Sequence, residues 1–427
     1  MPKGAAHTHQ PPQALRPYRV LDLTQAIGWT CGKLLADLGA DVIKVEPPGG
    51  DPGRRLGPFY HDQPHPERSL YWFALNTNKR GITLNWDSAD GQVLLRALAR
   101  EADFLVESFP PGFLQERGIG FTHLSHLNPR LIWTAITPFG QSGPYRDYRA
   151  SDLTGMAMSG LMHLCGDPDR PPVRMGPSQA HLQAGLQAAV ASLLAHQYRA
   201  RTGEGQFIDV SMQASLAWTI MPTRQYWDLN RILTQRAGPA RAFGDQLRRI
   251  VFPCQDGHVA LMGVLNAREW GPMVEWLARE GMAEDLTDES WRILVEHAGP
   301  GPFTQAAVTD EELAHVDDIL TRFFLRHSKA ELSREAQRRR IILFPVHTPR
   351  DLVQHPQLRA RGFFVPLPHA DLRDTLLYPG APYKLSETPW QLRRRAPLIG
   401  EHNEDIYGAE LGVSRAELAL LMAAGAI

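Results

Sequence analysis

The sequence predicts an α/β protein, and three observations carry that reading. Short runs rich in Val, Ile and Leu recur along the first half of the chain. Between them lie segments whose apolar residues fall at helical spacing, and Gly-, Pro- and Asn-containing turns separate the two kinds. Alternation of this sort builds parallel strands joined by crossover helices.

The elements follow in order. Val20 to Leu23 reads as the first strand and Asp41 to Glu46 as the second. Cys31 to Leu38 places Leu34, Leu35 and Leu38 on one helical face, and Gly39 suits the residue that ends such a helix. A loop rich in proline and glycine, Pro47 to Gly53, comes next. Ile82 to Leu84 is a strand, Ser88 to Glu101 a helix and Phe104 to Glu107 a strand; Leu131 to Ile136 is another strand, after the turn Asn128-Pro129. A long helix is expected from Gln179 to Ala200, with Ser178 as N-cap and Thr202 to Gly205 as its end. Phe207 to Val210 is a further strand, leading to a helix over Ala214 to Trp218.

From there the pattern changes. Residues 224–249 lack a clean period and read as linker. Val251 to Pro253, the turn Gln255-Asp256-Gly257 and a strand over His258 to Met262 open a smaller domain, 250–327, completed by helices. Residues 328–427 hold a basic helix, a β-rich segment and a last helix over Arg415 to Ala423. Residues 1–17 read as a flexible tail without the marks of a secretory signal, and 18–223 form the first part of a large domain. The run Arg338-Arg339-Arg340 reads as a solvated helix face.

Composition excludes several classes. The 427 residues are 43% hydrophobic and 21% charged, as in globular proteins. Lys plus Arg number 45 against 46 Asp plus Glu, a net charge of −1, so the basic footprint that nucleic acid or an anionic membrane surface requires is missing. Cys31, Cys165 and Cys254 are too few and too scattered for a disulfide framework or a zinc site, which points to a reducing cytoplasm and no metal. No apolar stretch reaches the length of about 18 residues that marks a membrane span. The longest, Leu182 to Ala195, is broken by Gln183, Gln187 and Ser192.

Familiar catalytic motifs are missing as well: the sequence holds no His-Glu-x-x-His, no Walker loop and no nucleophile elbow. The first β-α turn, Thr24 to Gly32, lacks the glycine fingerprint of dinucleotide sites. Its small residues and free N–H groups at a helix start suit a phosphate or an adenine, or serve only to pack helix on sheet. Asn76-Thr77-Asn78-Lys79-Arg80 offers amides and cations to a phosphate, or forms a solvated turn. Ser108 to Gly112 follows a strand's carboxyl end, where open α/β sheets bind ligands; Phe109 there either stacks on a base or joins the core.

Several segments together carry a resemblance: VLDLTQAIGWTCGKLLADLGADVIKVEPPGGDPGR, NTNKRGITL, LVESFPPGFL, ITPFGQSGPYRD, SDLTGMAMSGLMHLCGDPDRPP, HQYRARTGEGQFIDVSM, HPQLRARGFF and PLIGEHNEDI. In kind and in order these resemble the family III coenzyme A transferases, which include formyl-CoA transferase and the related α-methylacyl-CoA racemases. The resemblance implies a large Rossmann-like α/β domain with its parallel sheet built from both chain ends, residues 328–427 returning to it. It also implies a smaller central α+β domain and a dimer of interlocked subunits. It implies CoA or acyl-CoA as substrate with a small carboxylate as acceptor, and no tightly bound cofactor. In the transferases an aspartate attacks the thioester, and CoA returns to give an aspartyl thioester.

Carried over position by position, the CoA contacts fall at Gln25, Ala26, Lys79, Ser108, Phe109 and Arg149. The family's next arginine falls at Glu116, with Arg117 one step away. The nucleophile's pattern, Asp-x-x-x-Gly before an alanine-rich run, reads His181-Leu182-Gln183-Ala184-Gly185 here. The histidine that racemases use falls at Ser151, just before Asp152. The resemblance therefore implies the non-nucleophilic subunit of a heteromeric transferase of the (R)-benzylsuccinate type, assembled with an aspartate-bearing paralogue or as a homodimer. The alternatives are a lyase, isomerase or racemase that moves a proton with His181, and a CoA-ester binding protein without catalysis. Trp218, Tyr226, Trp227 and Trp270 are either core or the walls of a bulky acyl pocket.

Overall fold

A computed structural model describes residues 12–243, 246–298 and 306–427. They form two compact units. The larger holds the chain up to Met162, then Arg174–Arg231 and Pro356–Ile427; the smaller holds His163–Val173 and Ile232–His355.

The larger unit is built on six strands: β1 (Arg19–Leu23), β2 (Asp41–Glu46), β3 (Arg80–Thr83), β4 (Phe104–Glu107), β5 (Ile132–Thr137) and β6 (Phe207–Ser211). They run parallel in the order β3-β2-β1-β4-β5-β6. Nearly every residue of β1, β4 and β5 is buried, because helices cover both faces of a parallel sheet. Those helices include α1 (Trp29–Asp37), α2 (Leu70–Leu75), α3 (Ala89–Arg100), the short α4 (Phe113–Glu116), α5 (Phe121–Leu127), α6 (Asp152–Met158) and α7 (Gln179–Thr202). Strand order reverses between β1 and β4, so the loops leaving those two strands flank the crevice where such sheets take ligands.

Both chain ends build this unit, although the parallel sheet itself takes all six strands from residues 19–211 and the C-terminal residues pack against it. Asn403 accepts a hydrogen bond from Thr83 N at 3.0 Å, and Tyr407 donates to Thr83 O at 2.8 Å. Ile406, Tyr407, Leu418 and Ile427 share a core with Leu21, Ile43, Ile82 and Leu105.

The long helix matches its expected span to within two residues and ends on Gly203 in the left-handed conformation (φ 85°). On its outer side Leu186, Val190 and Leu194 are exposed at four-residue spacing. Two boundaries differ from expectation. Residues 224–249 are no bare linker: a helix over Met221–Asn230 is followed by antiparallel strands Ala240–Phe243 and Gln246–Arg249. The return to the larger unit begins at Pro356, beyond the expected 328. Helix Lys329–Arg339 and strand Leu343–Pro345 stay in the smaller unit because Leu343 pairs with Leu261, and Leu332, Ala336 and Ile341 fill its core. Trp270, Trp276, Phe323 and Phe324 form that same core.

Candidate active site

The crevice at the carboxyl ends of β1 and β4 is closed by a direct contact. Gln25 N donates to Ser108 Oγ at 2.8 Å, joining the two switch-point loops. Gln25 is exposed, and Ala26 packs at the edge of a cluster of Trp29, Trp72 and Phe73. These two and Ser108 are the expected CoA contacts that the structure brings together.

Beneath the first loop lies a buried ionic network. Lys79 Nζ donates to Asp22 Oδ2 at 2.7 Å, to Trp29 O at 3.0 Å and to Asn76 Oδ1 at 2.9 Å. Those contacts use all three donors of an ammonium group, and Lys79 is fully buried. The expected phosphate contact at Lys79 is therefore corrected: its charge holds the loop from below. Burial alone would raise the Asp22 carboxyl, yet Lys79 and Lys44 more than offset it and hold the carboxyl below its ordinary value. Lys44 completes the support, donating to Thr24 O and pairing with Asp51 at 3.3 Å. Gly32 makes the network possible, since a Cβ there would lie 2.1 Å from Asp22 Oδ2.

Phe109 and Arg117 also serve structure. Phe109 is 7% exposed and stacks on Phe113 with centroids 4.7 Å apart, while Trp86 meets its edge. The Arg117 guanidinium lies 3.6 Å over the other ring of that stack, Phe113, and its Nε donates to Asp87 at 2.7 Å. Phe109 offers little face to a base, and Arg117 is held on this aromatic stack. Arg149 stands exposed in the loop after β5. A residue that sequence reasoning missed is Glu107, the last of β4. It accepts from Phe109 N at 2.6 Å, and burial pushes its carboxyl up to about 8. The only hint in the sequence is an acid closing an otherwise apolar strand.

His181 sits in the first turn of α7, against α1. Gly185, one turn on, permits that approach: a Cβ there would lie 2.7 Å from Thr30 Cβ. Ser178 makes no side-chain cap. Instead Asp152, 7% exposed at the start of α6, accepts from Ala180 N at 2.8 Å and so caps α7 from a neighbouring helix. α6 is itself fixed by a capping box between Ser151 and Thr154. The second Asp152 oxygen faces Arg174 at 3.8 Å. The His181 Nδ1 atom is buried and makes no hydrogen bond. Burial lowers the His181 pKa, with Asp152 pulling the other way, so the imidazole is neutral at pH 7. The phenol of Tyr71, raised by burial, has Ser178 and Asp152 as polar neighbours. A neutral imidazole beside a carboxylate can relay a proton. It cannot form the anhydride that an aspartate forms.

The aromatics named as possible acyl-pocket walls separate. Trp270 is core in the smaller unit, whereas Trp218, Tyr226 and Trp227 are exposed on helices that follow β6 in the larger one. Elsewhere among the described residues, Glu284, Asp285 and His315 cluster at metal-ligand distances, but Asp285 pairs with His315 at 2.6 Å and Glu284 with Arg322 at 2.7 Å. Cys31, Cys165 and Cys254 form no disulfide among the described residues.

Comparison with known proteins adds three likenesses and a family. The model described as CoA-transferase family III matches residues 15–403. The chain is 37% identical to the succinyl-CoA:(R)-benzylsuccinate CoA-transferase subunit BbsE of Thauera aromatica, over 96% of this chain and 97% of that one. It is 30% identical to the succinyl-CoA–D-citramalate CoA-transferase of Chloroflexus aurantiacus, over 97% and 98%. A crystal structure of a CAIB/BAIF family protein from Brucella suis superposes with a TM-score of 0.81 at 28% identity, covering 94% of this chain and all of that one.

Proposed function

Because this chain belongs to CoA-transferase family III, we propose that it serves CoA exchange between an acyl-CoA and a carboxylate as the non-nucleophilic subunit of a two-subunit transferase. The observation that carries this reading is His181. At the helix start where the resemblance expects the attacking aspartate stands a neutral imidazole, on a helix that Asp152 caps from the side. A relative named as one subunit of a benzylsuccinate CoA-transferase supports the heteromer. The exposed apolar stripe of Leu186, Val190 and Leu194 supports burial against another subunit, homomeric or paralogous. Its CoA contacts are the loops of Gln25, Ala26 and Ser108 together with Arg149, and it works in the cytoplasm. No described helix is long and apolar enough to cross a membrane.

The test is expression of this chain alone and together with an aspartate-bearing family III relative, with CoA transfer from succinyl-CoA to carboxylate acceptors, benzylsuccinate among them, as the readout. Activity is expected only from the pair. Robust turnover by the chain alone overturns the proposal.

The placement of Asp152 beside His181 favours one second reading, in which the imidazole moves a proton α to a thioester. Deuterium from heavy water would then enter acyl-CoA esters that bind. No incorporation into any bound ester removes this reading.

A further inference from the structure

The opposite rim of the sheet carries a second polar groove, built at the amino ends of β2 and β3. It has a volume of about 490 Å³, and its charged lining is Arg16, Asp41, Arg80, Arg393 and Arg394. The chain assembles it from three distant segments. Asn78, in the left-handed conformation (φ 66°), accepts from Arg393 N at 2.7 Å and from Arg394 N at 3.1 Å. Its amide donates to Asp37 Oδ1 at 2.6 Å and to Gln391 O at 2.8 Å. One side chain thus pins the arginine-bearing loop to the end of α1.

The charges here do not cancel. Asp41 is the one acid of the lining, and Arg19 and Arg80 already engage it at 3.0 and 2.6 Å. Arg80 also pairs with Glu410 at 2.5 Å. Arg393 donates to neutral acceptors, Gln13 Oε1 at 2.6 Å and Ala36 O at 2.7 Å, the latter a carbonyl in the last turn of α1 that also accepts from Gly39 N. The Arg16 and Arg394 side chains are exposed and form no ion pair among the described residues. Burial first, then Arg394 and Arg16, lower the Arg393 pKa, with Asp37 and Asp41 pulling the other way, so these three guanidiniums feel one another. Gathering like charges around a cavity costs free energy that an anion would offset.

We propose that this groove binds a phosphate-bearing small molecule, with Arg16 and Arg394 as its direct ligands and Arg393 and Asn78 as the positioning residues. Guanidinium forks match phosphate oxygens in pairs, and Gln13 and Gln391 add polar lining beside them. The site lies at the rim opposite the Gln25 and Ser108 loops, so it is separate from the CoA contacts proposed above.

Calorimetric titration of the full-length chain with inorganic pyrophosphate at low salt, in the presence of saturating coenzyme A, tests this. Saturable one-to-one binding is expected. The double variant Arg16→Gln/Arg394→Gln should weaken it at least tenfold with an unchanged melting temperature, because neither side chain supports the fold. Arg326→Gln, an exposed arginine in the smaller unit, is the control and should leave it unaltered. Absence of binding overturns the proposal, as does competition by coenzyme A or equal affinity in the double variant. A change of molar mass in the double variant without loss of pyrophosphate affinity likewise overturns it and assigns the groove to a subunit interface.

Discussion

The Asp152 carboxylate accepts a hydrogen bond from Ala180 N at 2.8 Å, so a residue of one helix caps the helix that carries His181. The contact ties two residues that lie 28 positions apart and places beside the imidazole the carboxylate that opposes the effect of its burial.

Removing this cap therefore has two expected effects. Asp152→Ala should cost about 1–2 kcal/mol of stability, the usual range for a lost N-cap. It should also lower the His181 pKa further, because Asp152 is the group that opposes the effect of burial. Chemical denaturation reads the first effect, and NMR titration of the His181 ring reads the second. An unchanged titration curve would mean that Asp152 does not act on the imidazole.

Lys79→Met should destabilise the larger unit by about 3–5 kcal/mol, since it leaves the buried Asp22 carboxylate without its main partner. Lys44, at 4.0 Å from Asp22, is too far to replace it. The double variant Asp22→Asn/Lys79→Met should recover part of that loss. Thermal unfolding compares the three proteins, and equal melting temperatures for the wild type and the single variant would show the pair to be dispensable.

Glu107 gives a pH dependence whose sign is fixed. Its carboxyl, ordinarily near 4.5, is pushed up to about 8 by burial, so the folded chain binds its proton more tightly than the unfolded chain. Its contribution to stability is complete below about pH 4.5 and is lost as the pH rises through 8. Glu107→Gln keeps an acceptor for Phe109 N and has no proton to lose. The variant should match the wild type near pH 5 and exceed it at pH 8.5, by an amount on the order of a kcal/mol or more. Parallel stability curves across that range would refute the assignment.

The exposed stripe on α7 predicts an assembly defect. Leu194→Asp places a charge among Val190 and its neighbours on that face, so light scattering should show the assembled protein shifting toward monomer without loss of helical circular dichroism. An unaltered mass would free this face from any role in assembly.

The sheet was legible because its strands are short apolar runs bounded by turn residues, and β2 and β4 fall on the expected residues. The last helix is likewise placed on Arg415 to Ala423. The antiparallel strands Ala240–Phe243 and Gln246–Arg249 are not legible in the sequence because they are polar and arginine-rich, with no apolar alternation to read. The sequence does not show that residues 328–355 belong to the smaller unit, because a charged helix does not announce which core its Leu332 and Ala336 join. The site shows the same division. The resemblance points to His181, and the switch-point loops are legible as local turns after apolar strands. The burial of Lys79, the engagement of Arg117 by Asp87 and the capping of Ala180 by Asp152 depend on residues brought together by the fold, and no local pattern encodes them.

The seam between Thr83 and Asn403 has a consequence for the order of events during synthesis. The two residues are separated by 320 positions, and the whole of the smaller unit is translated between them. The ribosome delivers β3 early, but the groups that satisfy Thr83 N and Thr83 O arrive only after that excursion is complete. Until then one edge of the nascent sheet has open backbone groups and an uncovered apolar face, as edge strands without partners do. The smaller unit can finish folding first, and the larger one must wait for the chain to come back.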